Sequence, residues 1–222
     1  MTQRAFCHTQ ILTKNLTNAL CKTKPGSISL ESQVKWLSEK DIVGHSTVNW
    51  RNAYYLPFLC TRETKVRLFQ FKFLHRRITT NDFLCKIGTK QVDSCSFCEE
   101  TTETSVHLFW NCKYTQAFWK KLLEWMSQKI VNLKDLVFSP FLCLRLVENV
   151  SNVLLHHLFV IARHYVYTCK LKNSLPKLQV YLQSLLTSMK TEKNIALENS
   201  TLNSFERKWS PLKDALNGQV LK

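Results

Sequence analysis

Cys95, Cys98, His107 and Cys112 stand in a Cys-x2-Cys-x8-His-x4-Cys arrangement. Two cysteines separated by two residues can grip one edge of a tetrahedron through a tight turn, and zinc takes four thiolate or imidazole ligands in that geometry. Four protein ligands leave the ion no open position for an activated water, and no His-Glu-x-x-His segment occurs in the chain. The chemistry is that of a closed structural Zn2+, one per chain, which folds the polypeptide rather than catalysing. The competing reading is a set of ordinary buried thiols in a chain that holds nine cysteines. Cys7, Cys21, Cys60, Cys85, Cys143 and Cys169 fit that description, because none has a partner at metal-ligand spacing.

Elements must hold the four ligands, and composition bounds which elements these are. The chain has 222 residues, 45% hydrophobic and 11% aromatic, which suffices for a real core. Four glycines and five prolines leave little material for hairpins. The fold class is therefore all-α: a helical domain built around the small Cys-Cys-His-Cys zinc module, with a carboxy-terminal long-helix hairpin. Within the module, Thr102 or Thr101 caps a helix carrying Val106, Phe109 and Trp110, from which His107 projects. Cys112 lies five residues on, too far around a regular helix to share its face, so it belongs just past the helix end.

Upstream, Ser46 or Thr47 precedes a helix with Val48, Trp50 or Arg51, Tyr54 and Tyr55, which Pro57 cuts short. Glu63 to Arg77 fits two periods: Val66, Phe69 and Phe73 suit a helix, whereas Phe69, Phe71 and Phe73 alternate like a strand, and the helix is favoured. Thr79-Thr80-Asn81-Asp82 caps a short helix with Phe83, Leu84 and Ile87, stopped at Gly88. Tyr114 to Ile130 is amphipathic, with Phe118, Leu122 and Trp125 or Met126 on one face. Ser151 caps a long helix striped with Val153, Leu154, Leu158, Ile161, Tyr165 and Cys169. A second long helix, Lys177 to about Asn199, packs on it, and Phe205 and Trp209 dock the tail. Thr23 to Ser29, with Pro25 and Gly26, reads as a joint.

The formal net charge is +15, and it is unevenly placed. Thr61 to Lys90 holds eight basic residues against Glu63 and Asp82, while Asp93 to Cys112 holds four acids and no Lys or Arg. Arg62, Lys65, Arg67, Lys72, Arg76 and Arg77, interleaved with Phe69, Phe71, Phe73 and His75, can set cations on phosphates while the aromatics pack inward. A second basic stretch runs through Arg163, Lys170, Lys172 and Lys177. For either stretch a merely solvated helix face is the plain alternative, but the large positive excess favours a polyanion partner. Met1 to Gln10 is polar and carries Arg4, so no secretory signal opens the chain, and the odd cysteine count argues against disulfides. Asn149 to Ala162, the longest run without a charged residue, is too short and polar to span a bilayer. The expected home is the nucleus or cytoplasm, with no membrane partner.

Leu68-Phe69-Gln70-Phe71-Lys72-Phe73-Leu74-His75-Arg76-Arg77, Thr79-Thr80-Asn81, Cys95-Ser96-Phe97-Cys98, Glu103-Thr104 and His107-Leu108-Phe109-Trp110-Asn111-Cys112 follow one another in the chain. In that order they resemble the zinc-binding region of reverse transcriptases from LINE-type non-LTR retrotransposons. Tyr165 to Lys170, Asn173, Pro176 and Phe205 to Pro211 are similar to the carboxy-terminal part of the same polyproteins, so the likeness spans roughly Trp50 to Pro211. It implies three parts: a partly ordered N-terminal segment at 1–45, a reverse-transcriptase-type zinc-binding domain at 46–134 and a helical carboxy-terminal region at 135–222. It further implies a module that binds nucleic acid, RNA more than DNA, and possible association with the rest of a reverse transcriptase polyprotein.

Polymerase chemistry uses aspartates holding two metal ions, and no adjacent Asp-Asp pair occurs in this sequence. A Gly-rich phosphate loop and a serine elbow are likewise missing, and His156-His157 point about 100 degrees apart on a helix. The expectation is a non-enzymatic fragment, the detached end of a longer reading frame. A protein-docking scaffold and a non-functional retroelement remnant are the alternatives.

Overall fold

The computed structural model describes residues 31–38, 49–129 and 153–212. These residues are helical apart from loops and one isolated antiparallel bridge, Ser94 with Thr102, and no strand occurs among them. In chain order the helices are α1 (Glu31–Leu37), α2 (Trp50–Cys60), α3 (Thr64–Leu74), α4 (Asn81–Lys86), a π turn (His107–Asn111), α5 (Lys113–Lys129), α6 (Val153–Leu171), α7 (Leu178–Glu198) and α8 (Leu202–Trp209). The all-α expectation holds. Ser46, Thr47, Val48, Ser151, the Thr23–Ser29 joint and Cys7, Cys21 and Cys143 lie outside the described residues.

Helix α2 begins at Asn49, whose side-chain oxygen accepts the backbone N–H of Asn52 at 3.1 Å. Pro57 does not end it. Proline removes one helical hydrogen bond, and here the helix runs on to Cys60 with Pro57 buried in its last turn. Between the two periods open to Glu63–Arg77, the helical one is adopted. Val66, Phe69, Phe73 and Leu74 are buried at helical intervals, while Phe71 is only partly covered and packs on His75 at 4.4 Å between ring centroids. Thr80 caps α4 as its sequence promised, accepting from Phe83 N–H at 3.4 Å, and Gly88 adopts φ +72° just past the end.

The apolar face of α5 is Phe118, Trp119, Leu122, Trp125 and Met126, all buried. The stripe read along α6 is correct but too narrow: fourteen of its nineteen residues are buried, including His156, His157, Arg163 and Lys170. This helix is central rather than peripheral, packing against α2, α3, α7, α8 and the π turn. Helices α6 and α7 form the expected hairpin. Tyr181 of α7 donates its hydroxyl to Leu158 O at 3.0 Å, and Tyr165 of α6 donates to Lys177 O at 3.0 Å. Phe205 and Trp209 of α8 are buried against this body.

One hydrophobic cluster joins Phe69 and Phe73 of α3, Cys95, Phe97, Leu108, Phe109 and Cys112 of the metal loop, and Leu158, Tyr165 and Leu185 of the hairpin. Full burial of one such side chain contributes about 1.5–3 kcal/mol, so the loop and the hairpin stabilise each other directly. Among the described residues no helix is long and apolar enough to cross a membrane, and their cysteines are free thiols.

Candidate metal centre

The loop that brings the ligands together is built by local hydrogen bonds. Cys95-Ser96-Phe97-Cys98 forms a tight turn in which Phe97 N–H points at Cys95 Sγ at 3.4 Å and Glu99 N–H donates to Cys95 O at 3.0 Å. Glu99 closes the turn at φ +60°, a left-handed conformation uncommon for a non-glycine residue. Two antiparallel backbone bonds, Cys95 N–H to Thr101 O and Glu103 N–H to Asp93 O, both 2.8 Å, lay the returning segment beside it around the Ser94–Thr102 bridge. Thr104, not Thr101 or Thr102, caps the following turn: its hydroxyl accepts His107 N–H at 3.0 Å. Thr102 is instead committed to Asp93, 3.0 Å away.

Five-residue separation of His107 and Cys112 is resolved by a π turn. Cys112 N–H donates to His107 O at 2.8 Å, an i to i+5 bond that widens the turn. Cys112 then leaves the helical region with extended backbone. A regular α-turn would put the two ligands on different faces, and the extra residue brings the second one back. The spacing itself contained that signal.

One ligand atom from each of Cys95, Cys98, His107 and Cys112 lies within 4.8 Å of the other three. Cys95 Sγ is 3.9 Å from Cys112 Sγ, and Cys98 Sγ is 3.3 Å from His107 Nε2. A zinc tetrahedron with bonds of about 2.3 Å to sulfur and about 2.0–2.1 Å to nitrogen has edges of about 3.8 Å and about 3.6 Å, so this donor set fits the ion. Thr101 Oγ1 sits 3.1 Å from His107 Nδ1 and 3.2 Å from Nε2. Near-equal distances place the hydroxyl beside the ring, off the in-plane axis of both nitrogens, and with Nε2 facing the Cys98 sulfur a small turn of the ring would give Nδ1 to Thr101. Burial holds His107 below the ordinary histidine range, which favours the neutral, metal-competent imidazole. The Cys95–Cys112 contact lowers the Cys112 thiol and raises that of Cys95.

Beneath the ligands lies a residue that sequence reasoning counted only as one of four acids. Glu103 is fully buried. Its Oε1 accepts Asn81 N–H at 2.9 Å, its Oε2 accepts Ser96 N–H at 2.6 Å, and Lys170 Nζ of α6 stands 3.3 Å from Oε1. Lys170 also donates to Thr79 O. The carboxylate thus ties the Cys95 turn to α4 and to the carboxy-terminal hairpin. This corrects the second basic stretch: Arg163 and Lys170 are buried, with Arg163 donating to Gln70 at 2.9 Å and lying over the Phe73 ring, and only Lys172 and Lys177 remain exposed.

The first basic stretch divides. Arg62, Lys65, Lys72 and Arg77 are exposed around α3, Lys65 and Lys72 two turns apart on one face. Arg67 and Arg76 serve the fold. Arg67 donates to Thr61 O at 2.6 Å and Phe58 O at 3.3 Å, and Arg76, at φ +53°, stacks 4.5 Å over Trp36 and donates to Lys35 O at 3.0 Å.

Residues 34–119, from α1 through Trp119, match the family model zf-RVT, described as zinc-binding in reverse transcriptase. No curated protein and no solved structure matches the chain. The region carrying the four ligands is thus of a zinc-binding type, and its donor set is one that can hold the metal.

Proposed function

We propose that the chain is a zinc-stabilised nucleic-acid-binding module derived from a LINE-type retrotransposon reverse transcriptase, with no polymerase or endonuclease chemistry of its own. The observation that carries this reading is the coincidence of a zinc-binding reverse-transcriptase match at residues 34–119 with a closed Cys3His cluster beside exposed cations. Zinc supplies only structure: four protein ligands leave no exchangeable position. Cys95 and Cys98 hold one edge of the tetrahedron, His107 and Cys112 the other, and the loop then sits rigidly against α4. Lys65 and Lys72, with Arg62 and Arg77 at the helix ends, offer phosphate contacts while Phe69 and Phe73 anchor α3 in the core. RNA is the preferred partner, the remainder of a reverse transcriptase polyprotein a further one, and the nucleus or cytoplasm the setting.

Affinity for labelled RNA and DNA, measured across salt concentrations, tests this. Each phosphate neutralised adds roughly 0.7–0.9 to the log–log slope of affinity against salt. A slope near zero overturns the reading. Charge reversal belongs at Lys65 and Arg77, because Arg76 also holds Trp36 in place and its loss would confuse binding with folding. Reversal that left nucleic-acid affinity intact, with capture of a protein partner preserved, would favour the docking scaffold.

A further inference from the structure

A cleft of about 1040 Å³ opens between the end of α2, α7 and α8, at a distance along the chain from the metal loop. Arg62 and Arg67 line it beside the end of α2, Arg207 and Lys208 line it from α8, where Lys208 also donates to Cys60 O, and Lys129 lines it from the end of α5. Glu192 is the single carboxylate of the lining, and it is committed: its Oε2 accepts from Lys208 Nζ at 2.7 Å and from Trp209 Nε1 at 2.8 Å. No carboxylate of the described residues forms an ion pair with Arg62, Arg67, Lys129 or Arg207. Beyond the Glu192–Lys208 pair, four cations from three separate stretches of the chain therefore line the cleft, Arg62, Arg67, Lys129 and Arg207. Burial, and after it the neighbouring Arg62, holds Arg67 below the ordinary arginine range, with Glu192 opposing.

We infer that this cleft is a binding groove for the phosphodiester backbone of a single nucleic-acid strand, with Arg62, Lys129 and Arg207 as its exposed phosphate contacts. The inference rests on the nucleic-acid reading above and extends it from the zinc-binding region to α8. Size favours an extended chain over a compact small molecule, since the volume of about 1040 Å³ lies at the upper limit of small-ligand pockets. Charge favours phosphate, since guanidinium groups match its oxygens, while the apolar half of the lining, Phe58, Leu59, Ile195 and Phe205 among it, offers the walls no competing polar partner. The aromatics of the cleft are not stacking platforms. Phe58 lies under the Arg67 guanidinium at 5.0 Å and Phe205 is buried, so binding reads the backbone and not the bases. Sequence reasoning did not single out Lys129 and Arg207 because they lie 67 and 145 residues from Arg62 along the chain, and only the fold brings them to one cleft.

The test uses the full metal-loaded chain and a labelled single-stranded oligonucleotide, as RNA and as DNA of the same sequence, with the duplex alongside. Lys129→Glu/Arg207→Glu removes two contacts at exposed positions. Lys172→Glu/Lys177→Glu makes the same change in net charge elsewhere. Neutral Lys129→Gln/Arg207→Gln guards against a folding defect, read as helicity and zinc content. The expected result is a loss of roughly tenfold or more in single-strand affinity for the cleft variants. Their salt slope should fall by about 1.4, the share of two phosphates on a single strand. The Lys172/Lys177 variant should stay close to wild type, and duplex should bind more weakly than either strand. Equal losses in both charge-reversed variants, or an unchanged affinity in the cleft variants, overturns the groove while leaving the nucleic-acid reading standing. Absence of any salt-dependent binding by the wild-type chain overturns that reading, and the groove with it.

Discussion

Between Asp93 and Cys112 the chain has one isolated bridge, a π turn and a handful of hydrogen bonds, whereas Val153–Leu171 buries fourteen residues along a single helix. The helix owes its place to apolar area, which is non-directional and tolerant of small shifts. The loop owes its place to directed bonds: four candidate metal ligands and one carboxylate with three partners. A segment of twenty residues cannot bury enough surface to order itself, so coordination and a buried charge take over where packing is thin. Yet the two regions share the Cys95, Phe109 and Leu158 cluster and meet at Glu103–Lys170, so damage to one should reach the other to a measurable degree.

The strongest way to separate them is to remove the metal. Apparent binding free energies of structural zinc run to about 10–16 kcal/mol in small modules, and that energy is folding energy. Chelation, or Cys98→Ser, should abolish tight zinc binding and expose the amides of residues 93–112 to rapid hydrogen exchange. The α6–α7 hairpin should keep most of its protection. Complete loss of helicity on chelation would show that the hairpin has no independent stability, and the comparison would collapse into one unit.

Next in size is the joint itself. Glu103→Ala leaves Lys170 buried without its carboxylate and strands two backbone N–H groups, which places the cost at about 3–5 kcal/mol. Leu158→Ala in the core of α6 opens a cavity costing about 2–5 kcal/mol. Urea unfolding measures both, but zinc affinity distinguishes them. It should drop in Glu103→Ala, whose carboxylate positions the Cys95 turn, and hold in Leu158→Ala. Equal zinc affinity in the two variants would mean that the carboxylate stabilises the hairpin alone.

The difference between these regions also sets what the sequence reveals. Periodicity suffices for α5, α6 and α7, because burying a face leaves apolar residues at helical intervals, as Phe118, Leu122 and Met126 do, whereas α3 fits two periods until the fold chooses one. The ligand set is legible for a different reason: coordination demands particular atoms at particular separations. What escapes is charge that the fold buries. Glu103, Arg163 and Lys170 look like solvated residues in one dimension, since their partners lie 22, 93 and 91 residues away. Pro57 misleads in the other direction, as a generic helix breaker that a buried last turn accommodates. The Thr101, Thr102 and Thr104 hydroxyls are interchangeable on paper, and only the geometry sets the first beside the His107 ring and makes the last the cap.

That assignment gives a smaller, sharper test. Thr101→Val keeps the shape and removes the hydroxyl beside His107 Nδ1, and loss of such outer-shell partners typically lowers metal affinity about 10–100-fold. Competition with a chromophoric chelator measures it. The hairpin should be unaffected, because Thr101 touches none of it through a side-chain hydrogen bond. An affinity equal to wild type would place the hydroxyl outside the metal's support.

The smallest effect is the most specific to the hairpin. His157 is completely buried on α6, edge-on to Trp209 at 5.3 Å, with Glu192 Oε1 of α7 3.8 Å from its Nε2 and Lys208 of α8 close enough to oppose a second cation. Burial, reinforced by Lys208, holds it well below the ordinary histidine value of 6.5, so it is neutral in the folded chain. In the unfolded chain the same ring takes up a proton as pH drops through 6.5, and the unfolded state then binds more protons than the folded one. Stability contributed by the neutral ring is present above that value and is lost as pH falls toward the folded one, at about 1.4 kcal/mol per pH unit. His107, His75 and His164 are lowered in the same direction, so the wild-type slope contains several protons. Urea midpoints from neutral pH down to mildly acidic pH should therefore flatten by about one proton in His157→Gln relative to wild type. An identical slope in both would mean that Glu192 holds a charged His157 in the native hairpin. In that case the hairpin, like the metal loop, would depend on a directed bond at its centre.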